Sequence, residues 1–234
     1  MWNVRSATFE LRTEDFGRFI MGIIVILLKI IVTWLVTDWV SGFVHWLEDS
    51  YGHPFQPFVG RRVTKPNLLH HYRPRTFVSN SWYASAELLL AACLASLLIA
   101  LVLGRLTPMV ILAAVLGANA NQIHKWSHCT KHENGALIAA LQRLKFIQSP
   151  DHHSKHHVNR RDSHYCVLTD FMNPILDACK FWRGLENLVD RLFRIKKRDD
   201  DAMLLVVLAQ EPEFLGDTSR ERPLTRVAHQ SCRR

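Results

Sequence analysis

Three stretches of this chain carry almost no polar residues, and they decide what it can fold into. Residues 19–47 (FIMGIIVILLKIIVTWLVTDWVSGFVHWL), 84–103 (ASAELLLAACLASLLIALVL) and 108–118 (PMVILAAVLGA) lack the alternation of a half-buried strand. A helix needs about 20 apolar residues to cross a hydrocarbon core, so the first two runs are long enough to span. The third reaches that length only by continuing through Asn119, Ala120, Asn121 and Gln122, with their polar groups turned toward protein or a cavity. The expectation is an all-α integral membrane bundle of three or four spans. Core helices of a soluble protein are the alternative, but apolar runs this long exceed the usual soluble helix. As a helix, residues 19–47 would extend about 43 Å, more than one hydrocarbon thickness and less than two spans with a turn. One tilted helix emerging at His45 is therefore expected, with Lys29 near its middle. No small-residue cleavage site follows the run, which reads as a retained anchor.

Length and charge organise the rest. A chain of 234 residues suits one domain, read as 19–195. An interfacial segment (1–18) precedes it, and a polar, mobile tail (196–234) follows. Prolines 54, 57, 66 and 74 forbid long helices in the loop from 48 to 83. Residues 104–108 read as a hairpin, 136–147 as an interfacial helix and 173–195 as an amphipathic one. MLLVVLA (203–209) has no assigned place. The formal charge of +8 is unevenly placed. Arg61, Arg62, Lys65, Arg73 and Arg75 lie between the first two runs, and 19 more Lys and Arg follow the third. Only Arg5, Arg12, Arg18 and Arg105 would fall on the other side. Positive residues stay on the cytosolic side, and a basic face against anionic headgroups accounts for the charge without nucleic acid. The cysteines (93, 129, 166, 179, 232) are odd in number and form no CxxC, which excludes a structural zinc finger and fits a reducing compartment. Cys232 stands third from the end, so no prenylation box is present.

Histidine carries the chemistry. His45, the pair His70 and His71, His124 with His128, and the block His152-His153-Ser154-Lys155-His156-His157 all sit where apolar segments meet polar ones. With the second and third runs forming a hairpin, all four clusters land on one face, the cytosolic one. His124 and His128 are one helical turn apart, a spacing that suits two ligands of one metal. The zinc-protease motif HExxH would need Glu where Lys125 stands. On a helix the block pairs His152 with His156 and His153 with His157. Asp49, one turn after His45, adds a carboxylate as ligand or support, and Asp38 points roughly the same way; the alternative for Asp38 is a bond within the bundle. His132 continues the stripe of His124 and His128, whereas His53, His164 and His229 read as loop histidines.

Nine imidazoles and two carboxylates, without a thiolate cluster, favour a redox metal bound by N and O donors, and their number suggests two ions. Two irons with O2 can take hydrogen from an unactivated C–H bond, which no side chain can do. The histidine cap at a membrane face points to a lipid chain as the substrate.

The segments Asp38-Trp39-Val40-Ser41-Gly42-Phe43-Val44-His45-Trp46 with Asp49, His70-His71, Asn121-Gln122-Ile123-His124-Lys125-Trp126-Ser127-His128, HHxxHH at 152–157, Tyr165-Cys166-Val167 and Phe181-Trp182-Arg183-Gly184-Leu185-Glu186 occur in this order. Together they resemble the plasmanylethanolamine desaturase family, the Kua or CarF-like lipid desaturases. The resemblance implies a membrane di-iron enzyme that forms the vinyl-ether bond of plasmalogens, and a related plant branch instead desaturates an acyl chain of phosphatidylglycerol. Asn80, Lys145 and Arg161 stand where the ether-lipid branch carries histidines, and the family has one more span before the Asp38 segment. The expected ligand set is His45, His70, His71, His124, His128, His152, His153, His156 and His157. No haem, flavin or nicotinamide motif is visible, so electrons must come from an external donor of cytochrome b5 or ferredoxin type. A lipid hydroxylase on the same irons is the rival enzyme; a metal transporter would need histidines along a path through the bilayer.

Overall fold

The computed structural model describes residues 4–158 and 161–210, with side chains from residue 15 onward. His229 and Cys232, and most of the expected tail, lie outside the described residues. Among the described residues every regular element is helical and no strand occurs.

The first apolar run forms part of one continuous helix, α1 (Val4–Tyr51). Its segment Asp15–Tyr51 is 37 residues long, about 55 Å at the α-helical rise and nearly twice a hydrocarbon core. The second run is α3 (Trp82–Val102), started by Ser81, whose hydroxyl accepts from Ala84 N at 3.1 Å. α1 and α3 are each long and apolar enough to cross a membrane. Core helices of a soluble protein would be covered by their neighbours. Within the most apolar 18-residue stretch of α1 no residue is buried against the protein, and in that of α3 only 6% are.

The third run ends as α4 (Pro108–Ala118), and Asn119 breaks it from α5 (Ala120–Ser127). The polar residues that follow it are turned toward protein, as expected. Asn119 Oδ1 accepts from Trp82 Nε1 at 3.1 Å, Asn121 Nδ2 donates to Ser85 O at 2.6 Å, and Lys125 Nζ donates to Asn80 O. The hairpin between α3 and α4 turns at Gly104, where φ is +64° and a Cβ would be strained. Lys29 lines a groove between α1 and α4 beside Val25, Thr33 and Met109. Met109 is the second residue of α4, so Lys29, near the middle of α1, lies beside the start of α4.

The remaining helices cap the opposite end: α2 (Lys65–Tyr72), α6 (Lys131–Arg143), α7 (Pro150–Val158), α8 (Met172–Ala178), α9 (Phe181–Phe193) and α10 (Asp200–Gln210). A π-helical turn at Gly60–Thr64 leads into α2, and a 3-10 turn at Thr76–Ser79 follows it. Two sequence expectations need correction. The single helix over 173–195 is interrupted at Lys180, whose φ of +55° cannot continue an α-helix. The stretch 200–210, expected within a polar, mobile tail, is α10, which packs Leu204, Val207 and Leu208 onto Leu68 and Leu69 of α2. Its apolar side chains supply the reason: burial of MLLVVLA against α2 offsets the ordering of the segment.

Candidate metal centre

Each histidine owes its place to its helix. His45 and Asp49 sit one turn apart near the end of α1, with His45 Nε2 3.5 Å from Asp49 Oδ2. His70 and His71 close α2, His124 lies in α5, His128 caps that helix, and α7 carries the block at 152–157. These elements converge on two groups. His70, His124, His128, His153 and His157 form the first; His45, Asp49, His71 and His156 form the second. In each group the candidate ligand atoms lie within 4.8 Å of one another. The groups adjoin, with the His156 and His157 rings 5.4 Å apart and those of His71 and His157 5.3 Å apart.

Backbone carbonyls orient the rings. His45 Nδ1 donates to Tyr165 O at 3.0 Å, His70 Nδ1 to Pro74 O at 3.1 Å and His156 Nδ1 to Ser163 O at 2.7 Å. A proton held on Nδ1 leaves an acceptor lone pair on Nε2, turned into the cluster. There the Nε2 atoms meet one another: His70 with His124 at 3.2 Å, His124 with His153 at 2.9 Å, His153 with His157 at 3.0 Å, and His156 with His71 at 3.1 Å. Asn67 Nδ2 donates to Asp49 Oδ1 at 2.6 Å, which leaves Asp49 Oδ2 aimed at His156 Nε2, 3.3 Å away. Phe77 lies against the first group, its ring 5.0 Å from those of His70 and His124.

Burial, more than anything else, holds the imidazoles neutral. It pushes His70 down to about 3 and His71, His128, His153 and His157 well below the ordinary histidine range, with neighbouring imidazoles adding to the effect. His45 Nε2, His128 Nε2 and Asp49 Oδ2 are buried without a hydrogen-bond partner. Converging imidazole lone pairs beside a carboxylate make a donor set suited to cations. The donor set, imidazole and carboxylate without thiolate, fits iron.

Of the nine histidines expected as ligands, His152 is outside both groups. Its Nε2 accepts from Asn173 Nδ2 at 3.2 Å, and its ring lies 5.1 Å from that of His164. Asp38 is also elsewhere, accepting from Leu168 N at 2.8 Å and Thr169 Oγ1 at 2.6 Å. These bonds tie the segment 165–169 to α1, and Gly42 permits the approach: a Cβ there would lie 2.9 Å from Cys166 N. Of the departures from the ether-lipid pattern, Arg161 pairs with Asp201 at 3.1 Å, Asn80 accepts from Lys125 through its backbone carbonyl, and Lys145 has a left-handed backbone with φ of +61°. His53 and His132 join neither group, and His164 pairs through Nδ1 with Asp177 Oδ2 at 2.8 Å. Sequence reasoning missed Asn67, whose signal is its place one turn before His70-His71. It missed Phe77 and the orienting carbonyls of Pro74, Ser163 and Tyr165 too.

Comparison with known proteins agrees with this architecture. Residues 34–200 match the family model described as the lipid desaturase domain. A protein of Acanthamoeba polyphaga mimivirus, named as a probable fatty acid desaturase, is 30% identical over 194 residues, covering 81% of this chain and 90% of its own length. Plasmanylethanolamine desaturase of Myxococcus xanthus is 34% identical over 80% of this chain and 70% of its own. Plasmanylethanolamine desaturase 1 of Mus musculus is 32% identical over 75% of this chain and 69% of its own. No solved structure matches the chain.

Proposed function

The chain belongs to the lipid desaturase family, and from that premise we propose that it is an O2-dependent di-iron enzyme of membranes that introduces a double bond into a phospholipid chain, the vinyl-ether bond of plasmalogens. The observation that carries this reading is the pair of adjoining, buried ligand groups, five imidazoles in one and three imidazoles with a carboxylate in the other. His70, His124, His128, His153 and His157 would hold one iron, and His45, Asp49, His71 and His156 the second. When bound, the irons supply the oxidising power, drawn from O2, that removes two hydrogens from adjacent carbons of the chain. With O2 reduced to water, the balance requires two electrons from an external donor of cytochrome b5 or ferredoxin type.

The chain's own residues do the positioning. The carbonyls of Tyr165, Pro74 and Ser163 hold three imidazoles in the ligating tautomer. Asn67 fixes the Asp49 carboxylate. Phe77 covers His70 and His124 and keeps water from them.

Membrane placement is part of the proposal. α1, α3 and the α4–α5 pair form three spans, and the clustered Lys and Arg put the histidine cap on the cytosolic side. The relatives named plasmanylethanolamine desaturase favour an ether lipid; the viral relative, by its name, favours an acyl chain as the second reading. Iron analysis of the purified protein tests the site directly. About two irons per chain are expected, falling on His128→Ala or His156→Ala substitution, and full iron retention in both variants would overturn the assignment.

A further inference from the structure

Three of the five histidines in the first ligand group are held from outside by the loop that follows α2. Pro74 O accepts from His70 Nδ1, and the Phe77 ring lies 5.0 Å from those of His70 and His124. Between these two contacts Arg75 reaches across to the end of α5, where its Nη1 donates to His128 O at 2.9 Å. The same guanidinium grips the Glu133 carboxylate, with Nη2 2.5 Å from Oε1 and Nη1 3.3 Å from Oε2. Further along, Asn80 O accepts from Lys125 Nζ, so the loop is pinned to α5 at both ends.

His128 needs such a hold more than its neighbours do. It is the C-terminal cap of α5, with φ of −96° and ψ of −3°, where the helical geometry ends. Its Nε2 is buried without a hydrogen-bond partner, and among the described residues no hydrogen bond fixes the ring. The backbone at residue 128 therefore sets the direction of the imidazole. Carbonyls at a helix C-terminus lack intrahelical donors, and a cation there also complements the negative end of the helix.

Glu133 in turn steadies the guanidinium. It closes a capping box at the start of α6: Thr130 N donates to Glu133 Oε2 at 2.7 Å, and Glu133 N donates to Thr130 Oγ1 at 3.3 Å. The bonds from Arg75 and Thr130 hold the Glu133 carboxyl down to about 2, so it stays charged. Exposed ion pairs usually contribute little, but a bidentate fork on an already fixed carboxylate is the exception.

We propose that Arg75 is a positioning residue of the first ligand group: seated on Glu133, it fixes the His128 backbone and so aims its imidazole at the bound ion. This rests on the reading of the two groups as a metal centre. None of the hydrogen bonds of this clamp touches the second group, so its effect falls on one ion of the two.

Cobalt(II) titration of the purified, metal-stripped full-length protein, followed by d–d absorption, tests the clamp. The wild type should take up two ions. Arg75→Met should weaken one of them by about 10- to 100-fold, the scale for losing a support of a ligand, and leave the other unchanged. Arg75→Lys, which keeps the charge without the fork, should restore part of the loss. Glu133→Gln should weaken the same ion. Arg75 and Glu133 are 28% and 41% exposed, so salt reaches the pair. Raising it from about 0.05 M to about 1 M should weaken that ion more in the wild type than in Arg75→Met. A melting temperature lowered by Arg75→Met with both affinities unchanged would make the pair a surface brace and overturn the proposal. Equal weakening of both ions would overturn it too. Uptake of two ions without any lipid desaturated would sink the desaturase reading and spare the clamp; a wild type that takes up no cobalt would sink both.

Discussion

His152 and His153 are neighbours in sequence, yet only His153 faces the first ligand group. Successive residues of a helix diverge by about 100°, so a double histidine cannot aim both rings at one point. His152→Ala should keep the iron content of the wild type, whereas His153→Ala should lose the iron of the first group; equal iron loss in both would contradict the assignment. Asn67 offers a second test at this scale. Removing an orienting partner of a ligand lowers metal affinity by about 10- to 100-fold, so Asn67→Ala should release iron at chelator concentrations that leave the wild type loaded. The four histidine clusters were legible because chemistry restricts ligands to few residue types. Which ring of a pair turns inward was not, since His152 and His156 share a helical face and only the neighbours decide their targets. Orienting carbonyls leave no trace in a sequence, because every residue has one.

Among the helices, α10 has a role that its composition alone could not assign. It buries Val207 fully and Leu204 and Leu208 nearly so against Leu68 and Leu69, on the helix that carries His70 and His71. Leu208→Ala should cost about 2–5 kcal/mol of stability by opening a cavity. Thermal unfolding of the variant should show the loss, and an unchanged melting temperature would mean that α10 does not brace α2. The two long apolar helices were readable by length and hydropathy. The break at Lys180 was not, because a left-handed residue other than glycine is imposed by tertiary contacts and has no strong sequence signature. MLLVVLA showed its hydrophobicity but not its partner, which lies far back in the chain.

The whole molecule gathers buried neutral imidazoles at one end, and its stability must depend on pH. In the unfolded chain these histidines take up protons near pH 6.5. In the folded apoprotein burial lowers their affinity for protons, His70 to about 3. Between these values the unfolded state binds more protons, so stability is fully present above about 6.5 and is lost on acidification. The metal-free protein should therefore melt at a lower temperature at pH 5.5 than at pH 7.5, and bound iron should oppose the loss. A melting temperature that rises on acidification would contradict the neutral, buried cluster. The one-sided placement of the histidines followed from counting apolar runs, since each crossing reverses the face on which a loop emerges. The division into two adjoining groups, with a carboxylate in only one, depends on how four helices converge, and no local pattern encodes that.

The most direct test of the central claim is mass spectrometry of lipids from a host that holds alkyl-ether phospholipids and a working electron donor, expressing the wild type or His128→Ala. The wild type should produce a species lighter by two hydrogens that acid cleaves at the vinyl ether, and the variant should not. Ether and acyl chains left unchanged by the wild type, or the same product from both proteins, would contradict desaturation at the histidine cluster.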